Sequence, residues 1–312
     1  YISFQMDKPA LRSIIQIISF CVLPLCLLSI HAENFRGLKK IVLYSIFKDS
    51  SISLITAVLI IMFYFGGFYN NVFPVLSYLI AVNILSAIAF IIWNIYLPKE
   101  QNINNVEDIS IKSLLTISFP MLLTGSLMYF LQYTGILIMG FYCPEWEIGV
   151  YSVAIKISYL TSISLFAVNS IAAPKFSEFY STNNKKELEK IVYFSTKIVT
   201  YTALPILIIF ILFPSFFLGL FGEEFRTGKL ALIILVIGQF FHIATGSVGY
   251  ILQMTNYQKL FQNIIFVTCI INFILNILLI PLYGMSGAAI ANCLSVIIWK
   301  VIGVITIRKK LG

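Results

Sequence analysis

Long apolar runs alternate with short polar ones along the whole chain. A helix that crosses a bilayer needs about 20 consecutive, mostly apolar residues. Nine stretches meet that requirement, roughly 13–30, 50–66, 73–97, 113–141, 148–173, 192–219, 228–253, 260–281 and 284–307. The connections between them are short, and no soluble domain is inserted. The longest polar stretches are PKEQNINNVEDISIK (98–112) and KFSEFYSTNNKKELEK (175–190). The pattern predicts an all-α polytopic membrane protein.

Composition supports that reading. Of the 312 residues, 59% are hydrophobic and 11% charged, and the mean hydropathy is +0.94. A soluble domain carries about 25% charged residues. The net charge of +8 could suit nucleic acid, but its distribution argues for a membrane instead. One set of alternating connections (31–40, 98–112, 175–190, 254–259 and 308–312) holds thirteen Lys and Arg; the opposite set holds four. Basic residues collect in cytoplasmic loops, so this asymmetry predicts a cytoplasmic C-terminus, residue 1 outside, and no nucleic-acid partner. The start, YISFQM, lacks a charged region, a short apolar run and a small-residue cleavage site, so no signal peptide is read there. The expectation is that an N-terminal segment is missing.

Four of the five cysteines, Cys21, Cys26, Cys269 and Cys293, fall in apolar runs, and Cys143 is alone in its connection. None forms a CxxC pair, which argues against disulfides and metal sites. No glycine-rich phosphate loop, HExxH or nucleophile elbow occurs, which argues against an enzyme. No cofactor is expected.

The placement of charge is more informative. Of the thirteen Asp and Glu, only Asp49 adjoins a span, beside Lys48. A cation exporter that exchanges for protons or sodium usually needs a deep carboxylate, and none is found. The lysines differ. Lys197 and Lys300 are expected to snorkel toward the interface, and Lys48 to pair with Asp49 or do the same. Lys156 lies about eight residues inside its span, roughly 12 Å at helical rise. A lysine at helix centre costs roughly 2.5–3.5 kcal/mol. Ser152, Lys156 and Tyr159 share one helical face, which suits a water-filled cavity; the alternative is outward snorkelling. Gln239, His242, Gly246, Gly249 and Gln253 form a second narrow stripe that suits helix packing or a cavity wall. Asn272 and Asn276, four residues apart, suit interhelical hydrogen bonds. Gly284, Ala288, Ala291 and Ser295 form a small-residue packing seam. The prolines within spans, Pro24, Pro120, Pro205 and Pro214, mark curvature or hinges.

Four segments carry a family resemblance: FRGLKK (35–40), ILIMGFYCPEWEIGVYSVAIKIS (136–158), IAAPKFSEFYSTNNKKELEK (171–190) and ILNILLIPLYGMSGAAIAN (274–292). Together they resemble the oligosaccharide flippases that move O-antigen and capsule repeat units. These belong to the larger superfamily that includes the MATE exporters. The resemblance implies a MATE-like bundle of two six-helix lobes, with nine spans present of about twelve. Residues 1–112 would be the remainder of the N-terminal lobe, and 113–312 the complete C-terminal lobe. A weak echo between ENFRGLKKIVL (33–43) and LQMTNYQKLF (252–261) would mark equivalent turns of the lobes. A basic residue after "Y..A" is common in the family, matched here by Tyr151, Ala154 and Lys156. Where many relatives have an Asp before an ILILG-like segment, this chain has Gly135.

The resemblance implies a transporter that moves undecaprenyl-pyrophosphate-linked oligosaccharides across the bacterial inner membrane by alternating access. Its partners would be the lipid-linked oligosaccharide, membrane lipids, a polysaccharide polymerase and a chain-length regulator. The expected substrate-facing residues are Lys156, Ser152, Tyr159, Gln132, Gln239, His242, Asn272, Asn276 and Lys48, with Lys156 meeting an anionic headgroup. The alternatives are a MATE-like drug or cation antiporter, a polytopic polymerase or glycosyltransferase, and a structural membrane subunit.

Overall fold

A computed structural model describes residues 9–67, 73–96 and 110–311. Every regular element among them is helical. The acidic residues Asp7, Glu100, Glu107 and Asp108, and the side chain of Asp49, lie outside what is described. The chain divides into two compact units, Tyr1–Val106 and Glu107–Gly312. Among the described residues, six helices are long and apolar enough to cross a membrane, or up to eight if two bent pairs each count as one span. The chain is a multi-pass membrane protein.

The first unit contains α1 (Pro9–Gly37), α2 (Ile41–Phe47), α3 (Asp49–Phe65) and α4 (Phe73–Tyr96). Its core is Leu28, Ala32, Phe35, Phe47, Ile52, Val82, Leu85 and Ala89. Phe35 is its hub, with the rings of Phe47 and Trp93 each 5.8 Å away. Lys48 breaks the path between α2 and α3, and its Nζ lies 2.9 Å from the Glu33 carboxylate. Arg36 lies 3.2 Å from the other oxygen of Glu33.

The second unit begins with α5 (Ile111–Tyr142), α6 (Glu145–Leu160), α7 (Ile163–Ser181) and α8 (Lys185–Leu212). After α9 (Pro214–Gly219) and a 3-10 turn (Glu223–Gly228) come α10 (Lys229–Ala244), α11 (Val248–Met254) and α12 (Gln258–Leu311). A straight helix of the 54 residues of α12 would be about 81 Å long, far more than a bilayer. Gly284, at φ 54° and ψ −133°, folds it into two arms. The arms lie so close that a Cβ on Gly287 would meet the Leu279 carbonyl oxygen at 2.3 Å. The eighth and ninth predicted spans are these two arms.

Besides the span expected at 192–219, which divides into α8 and α9 at Phe213, two predicted spans are broken helices. The span expected at 148–173 is α6 and α7, bent by 48°. The hydroxyls of Ser158 and Thr161 donate to carbonyls of their own helix, Ile155 and Ser158. Such back-bonding competes with the helical ladder and bends it. The span expected at 228–253 is α10 and α11, separated by Thr245, Gly246 and Ser247. Gly246 has φ 69°, which glycine adopts without steric cost.

The turns at Lys39, Asn183 and Asn256 share one geometry. Each has a positive φ (59°, 54° and 63°). The next amide donates back five residues, from Lys40 to Phe35, Asn184 to Phe179 and Tyr257 to Leu252, each at 2.9 Å. This is the Schellman cap, which satisfies the last carbonyls of a helix. The segments 33–43 and 252–261, which echo each other in sequence, make the same turn.

Candidate functional site

The middle of the second unit is a buried polar seam between the two broken helices. The Ser162 hydroxyl donates to Gln239 Oε1 at 2.9 Å. The Ser247 hydroxyl donates to Asn169 Oδ1. All four residues are buried. Hydroxyl and amide groups cannot leave water for an apolar interior unpaired without a cost of a few kcal/mol. The pairs therefore fix the register of α6–α7 against α10–α11. A third polar group is set between the arms of α12. Asn272 Nδ2 donates to Ser295 Oγ at 2.9 Å, and Asn276 Nδ2 donates to Asn272 Oδ1 at 3.0 Å. The Asn276 Oδ1 atom is buried without a donor. A Cβ on Gly135 would sit 3.3 Å from it and 3.2 Å from the Tyr151 hydroxyl. In this structure the position is closed to an aspartate unless those neighbours move.

Lys300 is the feature the sequence reading missed. Expected to snorkel, it is 2% exposed. Its Nζ donates to the Gly246 carbonyl at 2.7 Å and lies 4.7 Å from the ring centre of Trp299. The break between α10 and α11 frees that carbonyl, and Lys300 satisfies it. A signal was present in the sequence. The basic run Arg308, Lys309 and Lys310 ends the chain's last helix. If it marks the interface, Lys300 lies eight residues, roughly 12 Å, deeper.

Lys156 is exposed on α6, next to buried Ile155 and Ile157. Among the described residues it forms no ion pair. Its flank continues through Leu160 and Ile163, 48% and 59% exposed. Its expected companions differ. Ser152 is half-buried and donates to the Ile148 carbonyl. Tyr159 packs against the main core. Gln132 is half-buried on α5. His242 is half-buried with its ring 5.8 Å from Trp299, and its Nδ1 is buried without a partner. Gln239, Asn272 and Asn276 are engaged in packing bonds, and Lys48 is paired with Glu33 in the other unit. Lys197 is exposed and lies about equally near the rings of Tyr193 and Tyr201, as an interfacial anchor would.

Two of the sequence segments that carry the family resemblance meet at the end of the unit opposite the basic turns. Glu147, from the first, accepts the Met285 amide of the second at 2.7 Å. The profile of the family described as polysaccharide biosynthesis protein matches residues 1–228. The chain belongs to that family. This family member is 27% identical over 168 residues to the probable low-salt glycan biosynthesis flippase of Haloferax volcanii. The match covers 54% of this chain and 36% of the relative. It is 24% identical over 250 residues to the capsular polysaccharide biosynthesis protein CapF of Staphylococcus aureus, covering 76% of this chain and 60% of the relative. The chain thus spans less than two thirds of the length of either relative. Its fold is that of the MATE transporters. A mutant of the Vibrio cholerae MATE transporter VcmN superposes with a TM-score of 0.74 at 14% identity, over 91% of this chain and 66% of that one. The resemblance to oligosaccharide flippases read from the sequence is upheld.

Proposed function

We propose that the protein flips lipid-linked oligosaccharides across a membrane in polysaccharide biosynthesis. Its substrate would be an undecaprenyl-pyrophosphate-linked repeat unit of O-antigen or capsule, and its location the bacterial inner membrane. The basic end of the second unit, with the C-terminus, would face the cytoplasm. The two units would alternate access to the substrate, while the polyprenyl tail stays in lipid. A polymerase and a chain-length regulator would act on what is delivered. Family membership and the flippase and capsule relatives support this reading.

The observation that carries it is Lys156. An exposed ammonium three turns into a membrane helix, with no carboxylate within ion-pair distance among the described residues, is suited to a ligand that brings its own negative charge. A pyrophosphate does so. The test is flipping of a fluorescent lipid-linked oligosaccharide in liposomes by the wild type, Lys156→Ala and Lys156→Glu. Both variants are expected to keep their stability within about 0.5 kcal/mol, as surface changes do. Flipping should fall in the first and vanish in the second. Wild-type rates in both variants would remove Lys156 from the mechanism, and no flipping by the wild type would remove the function.

A further inference from the structure

A buried carbonyl needs a donor, but it does not need a charged one. Serine or asparagine would satisfy the Gly246 oxygen without carrying an ammonium into the bilayer. Lysine's head is costly there, and the Gly246 carbonyl is the one hydrogen-bond acceptor it meets among the described residues. Beside it stands the Trp299 ring, its centre 4.7 Å from Nζ, and a π face is a weaker partner for a cation than a carboxylate. The other titratable groups near it are few. From α10 comes His242, its ring centre 5.8 Å from that of Trp299. From the first arm of α12 comes Cys269, in the same packing cluster, its thiol turned to the Leu127 carbonyl of α5. From α5 and α11 come the apolar Leu131, Val248 and Leu252. From α8 comes the hydroxyl of Thr196, against Gly246. No carboxylate lies within ion-pair distance of Lys300 among the described residues.

A cavity opens at the basic end of the unit, near the residues that pack on Gly246. The cavity, of about 360 Å³, lies between the ends of α7, α8, α11 and α12. It would hold roughly a dozen waters at ~30 Å³ each. Tyr180, Asn183, Lys185, Glu189, Tyr193 and Thr196 are among its lining residues, although most of the surface it exposes is apolar. Thr196 is shared: it lines the cavity, and it is the side chain that a Cβ on Gly246 would strike. Thr196 is thus the side chain that the cavity lining and Gly246 have in common.

We propose that Lys300 is a proton-switched latch on the broken helix α10–α11, supplied with protons from the basic end of the unit through this cavity. The protonated ammonium holds the Gly246 carbonyl and pins the break against the second arm of α12. Loss of one proton to cavity water leaves a neutral amine, a weaker donor, and the break is free to bend. Re-protonation restores the latch. Lys300 acts through the helix break and is a positioning residue. The latch rests on the transport reading only for its use; the switch itself can be measured without substrate.

The test uses the full chain with Trp93 and Trp146 replaced by Phe, so that Trp299 is the sole tryptophan and is excited selectively over the tyrosines. Its emission should change in one step as pH rises, because the cation beside its ring is discharged. Lys300→Met should lack the step, and so should Lys300→Arg, whose guanidinium does not lose its proton. His242→Gln should keep it. A second readout is amide exchange of residues 244–250 at one fixed pH. Exchange should be roughly tenfold or more faster in Lys300→Met than in wild type, from loss of a charge-assisted hydrogen bond. No step in the wild type, a step that survives in Lys300→Met, or a step lost in His242→Gln overturns the proposal. So does equal exchange in wild type and Lys300→Met. Each of these failures leaves the flipping assay untouched, and a flat flipping assay leaves the latch untouched.

Discussion

The Glu147 carboxylate at the start of α6 accepts the backbone amide of Met285 at 2.7 Å. Met285 opens the second arm of α12, where the turn at Gly284 leaves an amide without a helical partner. A carboxylate at a helix start satisfies such an amide and complements the helix dipole. Glu147→Ala should therefore lower stability by about 1–2 kcal/mol, and Glu147→Gln, which keeps an acceptor, by less. Thermal unfolding in detergent reads the order; equal stabilities would show that the contact contributes nothing.

The Cys143 thiol tests the same corner chemically. It lies in the connection between α5 and α6, and its pKa is raised above the ordinary thiol value, chiefly by burial and further by the Glu147 carboxylate it bonds to. A raised pKa means less thiolate at neutral pH and slow alkylation. Glu147→Gln removes the negative charge, which lowers the thiol's pKa and raises the thiolate fraction. The pH at which alkylation accelerates should fall in that variant. An unshifted profile would refute the pairing.

Asn272 and Ser295 link the two arms of α12. Interhelical hydrogen bonds in membranes average about 0.6 kcal/mol in double-mutant cycles, with a maximum near 1.7. A cycle of Asn272→Ala and Ser295→Ala should return a coupling in that range. The single change at Asn272 should cost more than the one at Ser295, because Asn272 also holds Asn276.

Gly246 is constrained twice. Its φ of 69° is unfavourable for any residue with a Cβ, and that atom would meet Thr196 Oγ1 at 2.2 Å. Gly246→Ala should cost about 1–3 kcal/mol from crowding and roughly 1–2 kcal/mol from the left-handed backbone. Adding Thr196→Ala should recover the first part and not the second. Full recovery would mean that the backbone at this break is unstrained.

Hydropathy located the helices because a spanning segment must be apolar over a fixed length, whatever it packs against. It did not locate the breaks. The interruptions at 161–162 and 245–247 are only Thr161 and Ser162, and Thr245, Gly246 and Ser247, too few small residues to divide an otherwise apolar run. The depth of Lys156 could be read by counting residues from its span end. Its exposure could not, because that depends on which flank of α6 the neighbours cover. Lys300 was misread for the same reason. Next to a tryptophan near the end of a hydrophobic run it has the pattern of an interfacial anchor, and only the approach of α10–α11 encloses it. The amides Gln239 and Asn272 were legible as polar positions on apolar helices, while their partners, 19 to 77 residues away in the chain, were not.

The hairpin at Gly284 bears on how the chain enters its membrane. Alone in hydrocarbon, the first arm would expose two carboxamides with nothing to bond beyond each other and their own backbone. Ser295 and the Ala291 carbonyl arrive only with the second arm, some twenty residues later in synthesis. Entry of the two arms into the bilayer as a pair would spare those carboxamides that exposure.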